Sequence, residues 1–159
     1  MGFFNNKNGA IISEWFKLIE GIENMLPNFM CEVMLYDNHL IIKQGKKTTA
    51  ELQYNQITDV FYGLKTEIIQ KKQSTIGRAM VGGILFGGPG AIVGAISAGK
   101  KEKKKTNLYF IISYTSSSGE EKYINFEVSG GGFNGRKLAD KLRELCNIKD
   151  IKREDEIKL

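Results

Sequence analysis

From Ala79 to Ala98 the chain runs for twenty residues without a charged side chain, and Gly87-Gly88-Pro89-Gly90 interrupts that run near its middle. Any fold for this sequence has to cover the apolar residues of the stretch and accommodate its glycines. At helical spacing, Ala79, Gly83 and Gly87 stand four residues apart in the first half, and Gly90, Gly94 and Ala98 in the second. Residues at i and i+4 share a helix face, so each half predicts a helix with a bare stripe along which another backbone can approach closely. Met80, Ile84, Leu85 and Phe86 in the first leg, and Ile92, Val93 and Ile96 in the second, are left for the other faces. They are the candidate membrane- or partner-binding residues. Proline cannot continue a helix interior and glycine breaks one at little cost, so Gly87–Gly90 is the turn of a helical hairpin over 76–99.

About 20 apolar residues would also span a bilayer as one helix. Two features argue against that. The break falls at mid-depth, and strand patterns belonging to one sheet lie on both sides of the stretch. Each leg, at roughly 1.5 Å per residue, reaches only about 15 Å. A hairpin that returns to its starting side fits better.

Charge points the same way. The chain carries 23 Lys and Arg against 18 Asp and Glu, a net +5. Residues 71–105 hold Lys71, Lys72, Arg78, Lys100, Lys101, Lys103, Lys104 and Lys105 against Glu102 alone, a net +7, which leaves −2 for the rest. The basic excess therefore belongs to the base of the hairpin. A lysine collar beside an apolar element suits an anionic membrane surface, where each cation contributes on the order of 1 kcal/mol. The same pattern also serves a hairpin buried in a protein partner or a homo-oligomer, with lysines guarding an aggregation-prone segment. A third arrangement folds the hairpin back on its own domain.

Around the hairpin the sequence alternates. Ile12, Trp15, Phe16, Ile19, Ile22 and Leu26 recur at steps of three and four, which predicts an amphipathic N-terminal helix within 1–28, capped by Ser13 and ended by Pro27. Cys31, Val33 and Leu35, the turn Asp37-Asn38, and His39 to Lys43 read as a strand hairpin. Thr48–Tyr54, Ile57–Gln70 with a break at Gly63, Asn107–Tyr114 and Lys122–Val128 supply the remaining strands, six or seven in all. Asn134 caps a closing helix to about Asn147 whose stripe is Leu138, Leu142 and Leu145, and 148–159 is a mixed-charge tail.

That order, meandering strands closed by one amphipathic helix, resembles the pleckstrin-homology-like (PH-like) domains of bacterial and phage proteins. Leu52-Gln53-Tyr54-Asn55-Gln56-Ile57-Thr58-Asp59-Val60 is similar to a strand-and-turn pattern frequent in that group, and Gly77–Gly83 with Gly90–Gly94 to its glycine-rich insert. The resemblance covers 29–147. It implies an α+β fold: a PH-like antiparallel β-barrel or sandwich with a C-terminal helix, here with an N-terminal helix and the inserted helical hairpin added. Relatives that bind lipid headgroups cluster Lys and Arg across the first hairpin. Here that turn is Asp37-Asn38-His39, with Lys43, Lys46 and Lys47 further on.

Catalytic patterns are missing. Gly94-Ala95-Ile96-Ser97-Ala98-Gly99-Lys100 fits seven places of a phosphate-binding loop, but Lys101 stands where Ser or Thr must hold magnesium. One histidine, His39, and two cysteines, Cys31 and Cys146, are too few for a zinc site. The lysine run lacks interleaved aromatics, which argues against specific nucleic-acid reading. No enzyme activity, cofactor or metal is expected. Both cysteines sit in apolar patterns and the N-terminus lacks the features of a secretory signal, so the expected location is cytoplasmic, at the inner face of the membrane if the hairpin enters lipid. The expectation is a binding module that uses its hairpin to attach to a membrane or, as the alternative, to oligomerise or bind a protein such as a host or phage factor.

Overall fold

The computed structural model describes residues 9–70, 75–81, 107–128 and 133–148. Seven strands form one antiparallel sheet: β1 (Ile12–Glu20), β2 (Met30–Leu35), β3 (His39–Gln44), β4 (Thr48–Gln53), β5 (Ile57–Leu64), β6 (Leu108–Thr115) and β7 (Glu121–Val128). Among the described residues three helices accompany them: α1 (Lys65–Gln70), α2 (Thr75–Val81) and α3 (Phe133–Leu145). The spatial order is β4-β3-β2-β1-β7-β6-β5, so the consecutive strands β4 and β5 form the two edges. A short 3-10 turn, Tyr54–Gln56, carries the chain from one edge to the other. Leu52 of β4 and Val60 and Tyr62 of β5 nevertheless share one core with all the other strands. The sheet therefore curls until both edges meet the same interior, and α3 closes it with Leu138, Ala139 and Leu142, all fully buried.

At the centre of this core Phe16, Phe110 and Phe126 form a ring cluster with centroid separations of 4.9, 5.6 and 5.7 Å. Tilted and offset contacts of this kind add about 0.5–1.5 kcal/mol per pair beyond simple burial. Gly135 lets α3 approach the cluster, because a Cβ there would meet the Tyr62 hydroxyl at 2.9 Å and Phe16 at 3.1 Å. Asn147, with φ 58°, ends the helix, and Ile148 N–H donates to Arg143 O at 3.0 Å. A left-handed residue with this 6→1 bond is the usual helix stop.

The expected helix from Ser13 to Leu26 is a correction. Residues 12–20 are β1, in the middle of the sheet between β2 and β7. Apolar steps of three and four fit one helix face, but Phe16 and Leu18 point into the core while Trp15, next to Phe16, is 55% exposed, which is the period of a strand. A register shift between Leu18 and Glu20 breaks the alternation that would have revealed it. With β1 in place, the first hairpin is β1–β2, and its connection, 21–29, contains no Lys or Arg. The strand expected to run to Gln70 stops at Leu64, where α1 begins. Asn134 lies inside the first turn of α3 rather than capping it. The hairpin at Asp37-Asn38, the turn at 116–119 and the remaining strands fall where the alternation places them.

Candidate functional site

The glycine-rich stretch sits in the connection between β5 and β6. Leu64 and Leu108 are direct partners in the β5–β6 ladder although residues 65–107 lie between them, so both ends of the insert leave the same end of the sheet. The β6–β7 turn lies at the other end of these strands, where Ile57 pairs with Tyr114. Of the candidate residues, Arg78, Ala79 and Met80 fall on α2. Lys71, Lys72, Gly83, Ile84, Leu85, Phe86, Gly87, Gly90, Ile92, Val93, Gly94, Ile96, Ala98, Lys100, Lys101, Lys103, Lys104 and Lys105 lie outside the described residues.

The root of the insert is built on the outer face of the sheet. On β5 and β6, Val60, Tyr62, Phe110 and Ile112 point inward, and Phe61, Tyr109 and Ile111 point outward. Ile68 of α1 and Ile76 and Ala79 of α2 complete a second apolar cluster with these outward residues, and Tyr123 packs against it. Ile68, Ile76 and Ala79 are each at most 2% exposed. Burying an Ile side chain contributes roughly 1.5–3 kcal/mol, so this seat holds the start of the insert on the sheet.

Polar contacts fix both short helices. Leu64 N–H donates to Glu67 Oε1 at 2.8 Å, the reciprocal half of a capping box at the start of α1. Gly63 makes room for that carboxylate, since a Cβ there would collide with Glu67 Oε1. At the start of α2, Ile76 N–H points to Asp59 Oδ2 at 3.4 Å while Asp59 Oδ1 accepts from Val60 N–H at 2.9 Å. An anionic side chain at a helix start satisfies an orphan N–H and opposes the positive end of the helix dipole.

Around the cluster, Ser113 Oγ and Thr58 Oγ1 both bond to Glu121 Oε2, and Asn125 donates to Glu20 Oε2 at 3.1 Å. Ser113 and Asn125 are fully buried although they lie on the outside of the sheet, so cover extends across β7. Lys65 lies over the Tyr109 ring at 5.5 Å, and burial lowers the pKa of its ammonium. Burial likewise raises the phenol pKa values of Tyr109 and Tyr123, with Arg78 pulling the second back. Among the described residues no three His, Cys, Asp or Glu side chains stand close enough to hold a metal ion.

A domain with one enclosed core, a C-terminal helix and a glycine-rich insert between its fifth and sixth strands meets a specific family pattern. The pattern of glycine zipper containing PH domains matches residues 24–126, from the β1–β2 connection into β7 with the whole insert included. The chain belongs to that family. No curated protein matches it. PH-like domains are generally non-enzymatic binding modules whose partners are lipids or proteins, and this chain is a PH-like domain with a glycine zipper.

Sequence reasoning missed the seat of the zipper: Asp59, Phe61, Ile68, Tyr109 and Ile111. A signal was present. Val60-Phe61-Tyr62 and Tyr109-Phe110-Ile111-Ile112 are unbroken apolar runs, and a strand apolar on both faces has cover on both.

Proposed function

We propose that this PH domain is a membrane-attachment module whose glycine zipper dips into one leaflet while the lysine collar of 71–105 holds anionic headgroups. The observation that carries this reading is the Leu64–Leu108 pairing. Two ends leaving from adjacent positions require a segment that goes out and comes back, and an apolar hairpin with legs of about 15 Å matches the depth of a single leaflet. Seating of Ile76 and Ala79 on the sheet ties the near end of the first leg to the domain, so an inserted tip would hold the domain close to the surface. The net +7 of 71–105 lies at the base of that tip. On this reading the protein works at the inner, anionic face of a membrane.

The test is flotation of the purified chain with vesicles containing about a third anionic lipid. Wild type should float, and float less as salt rises, because headgroup attraction is screened within about 8–10 Å at physiological ionic strength. The informative deletion is 82–99, which leaves α2 on its seat. Removing 76–99 would strip Ile76 and Ala79 from the cluster and confuse unfolding with loss of binding. Wild type left at the bottom of the gradient overturns the reading and points to a protein as the partner of the zipper.

A further inference from the structure

The sheet ends in two edges, β4 and β5, that are finished differently. On β5 side chains meet the main-chain groups that point away from β6. Asp59 Oδ1 accepts from Val60 N–H at 2.9 Å, Arg143 Nη2 donates to Val60 O at 3.2 Å, and Glu67 Oε1 accepts from Leu64 N–H at 2.8 Å. On β4 the even-numbered residues bond to β3. Tyr54 N–H donates to Asn38 O in the register of that ladder, and antiparallel strands exchange bonds at every second residue. The main-chain groups of Thr49, Glu51 and Gln53 therefore point away from the sheet. Gln56 Oε1 accepts from Gln53 N–H at 2.9 Å. No described residue meets the N–H or C=O of Thr49 or Glu51, and both residues are exposed.

A row of unpaired main-chain groups accepts another strand, and the side chains of β4 select which one. Thr49 has Lys47 two residues before it and Glu51 two residues after it. Neither charge has an ion-pair partner among the described residues. This order of cation, hydroxyl and anion is complementary to itself read backwards. When a second β4 lies antiparallel with Thr49 opposite Thr49, each Lys47 stands opposite the other copy's Glu51. Threonine pairs and opposite charges are both favourable across strands, and like charges are not. A slide of two residues would put Glu51 opposite Thr49 and lose both ion pairs. A slide of four would set Glu51 against Glu51. On the inward side of the same seam Ala50 stands opposite Thr48, and these short side chains let the strands close to ladder distance, about 4.8 Å. A contact in which each copy offers the same patch is isologous and closes at two copies.

We propose that β4 pairs with β4 of a second copy of this chain about a twofold axis at Thr49, joining the two sheets edge to edge. The inference does not depend on what the zipper binds. Sedimentation equilibrium of the full chain should give twice 17.8 kDa at micromolar concentration. Amide exchange at Thr49 and Glu51 should be fast in dilute protein and slow once the dimer forms. Thr49→Pro removes an N–H that the β3–β4 ladder does not use, so it should abolish the dimer and leave the circular dichroism spectrum unchanged. Lys47→Glu and Glu51→Lys should each weaken the dimer by about tenfold, since each acts at both ends of the seam, and the two together should restore it. A monomer at every concentration up to about 100 μM overturns the proposal. So does a dimer that survives Thr49→Pro in a folded protein, one in which the two charge reversals fail to rescue each other, or one lost only in Gly83→Leu, which assigns it to the zipper.

Discussion

The side-chain amide of Gln44 pairs with the backbone of Leu26 as a neighbouring peptide unit would: Leu26 N–H donates to Gln44 Oε1 at 2.7 Å, and Gln44 Nε2 donates to Leu26 O at 2.9 Å. The pair ties the β1–β2 connection to the end of β3, next to the β3–β4 turn. It holds Leu26 and Phe29 on the same edge of the domain as Lys46 and Lys47.

Replacing Gln44 by Ala should lower stability by about 1 kcal/mol, the usual net value of a hydrogen bond whose partners can return to water. Gln44→Glu should cost more, because it keeps the acceptor but sets a carboxylate against the Leu26 carbonyl. Urea unfolding gives the magnitudes. Amide exchange at Leu26 should accelerate in both variants while exchange in β6 stays slow.

Gly135→Ala opposes two effects. Helix propensity alone favours alanine by up to about 1 kcal/mol, and no positive φ forbids it. Its Cβ, however, would meet the Tyr62 hydroxyl and the buried Phe16 ring. Overpacking of this kind costs about 1–3 kcal/mol, and a ring at the centre of the core has nowhere to move. The variant should be less stable than wild type in denaturant titration. A more stable variant would mean that α3 shifts freely on the sheet.

Asp59→Ala should loosen α2 without unfolding the domain. It removes the acceptor facing Ile76 N–H, and losing such a group at a helix start typically costs about 1 kcal/mol. The readout is limited proteolysis: cleavage within 75–81 should speed up several-fold while the rest of the chain resists. Asp59→Asn, which keeps a carbonyl acceptor, should sit between the two.

Stability should fall in alkali beginning near pH 9. Burial pushes the Cys146 thiol up to about 11 from an ordinary value of 9.0, and it raises Cys31 and Tyr54 as well. Above pH 9 the unfolded chain loses the Cys146 proton while the folded chain keeps it. The unfolded state then binds fewer protons and gains in relative stability until about pH 11. Thermal melts should drop by a few degrees across this window, and Cys146→Ala should flatten the decline. Cys31, fully buried and contacted by Gln44 Nε2, should resist alkylation until urea is added.

Much of the sheet was legible because β4 and β7 alternate, and β3 and β6 are short apolar runs bounded by turns, with Leu40 and Ile42, Ala50 and Leu52, Phe110 and Ile112, and Ile124 and Phe126 facing inward. β1 was not, for a physical reason. It carries apolar residues in both phases, Trp15 against Phe16 and Ile19 against Leu18, so a helical period fits as well as a strand period until the partners β2 and β7 are known. α1 was hidden because Ile68 and Ile69 suit a strand equally well, and only Glu67, reaching back to Leu64 N–H, starts the helix there. The charge excess and small-residue stripes of the zipper were plain in the sequence. Its seat on Phe61, Tyr109 and Ile111 was not, since that contact joins residues distant in the chain.

The Leu64–Leu108 pairing also sets a problem for the order of assembly. A β5–β6 ladder closed by a tight turn would zip locally, as β2–β3 can through Asp37-Asn38. Spanning a roughly tenfold longer connection costs about 2 kcal/mol more in loop-closure entropy, and that cost falls before any ladder bond forms. The seam beside the zipper should therefore be the slow step of refolding, and a chain lacking 82–99 should reach its native sheet faster than the full-length protein.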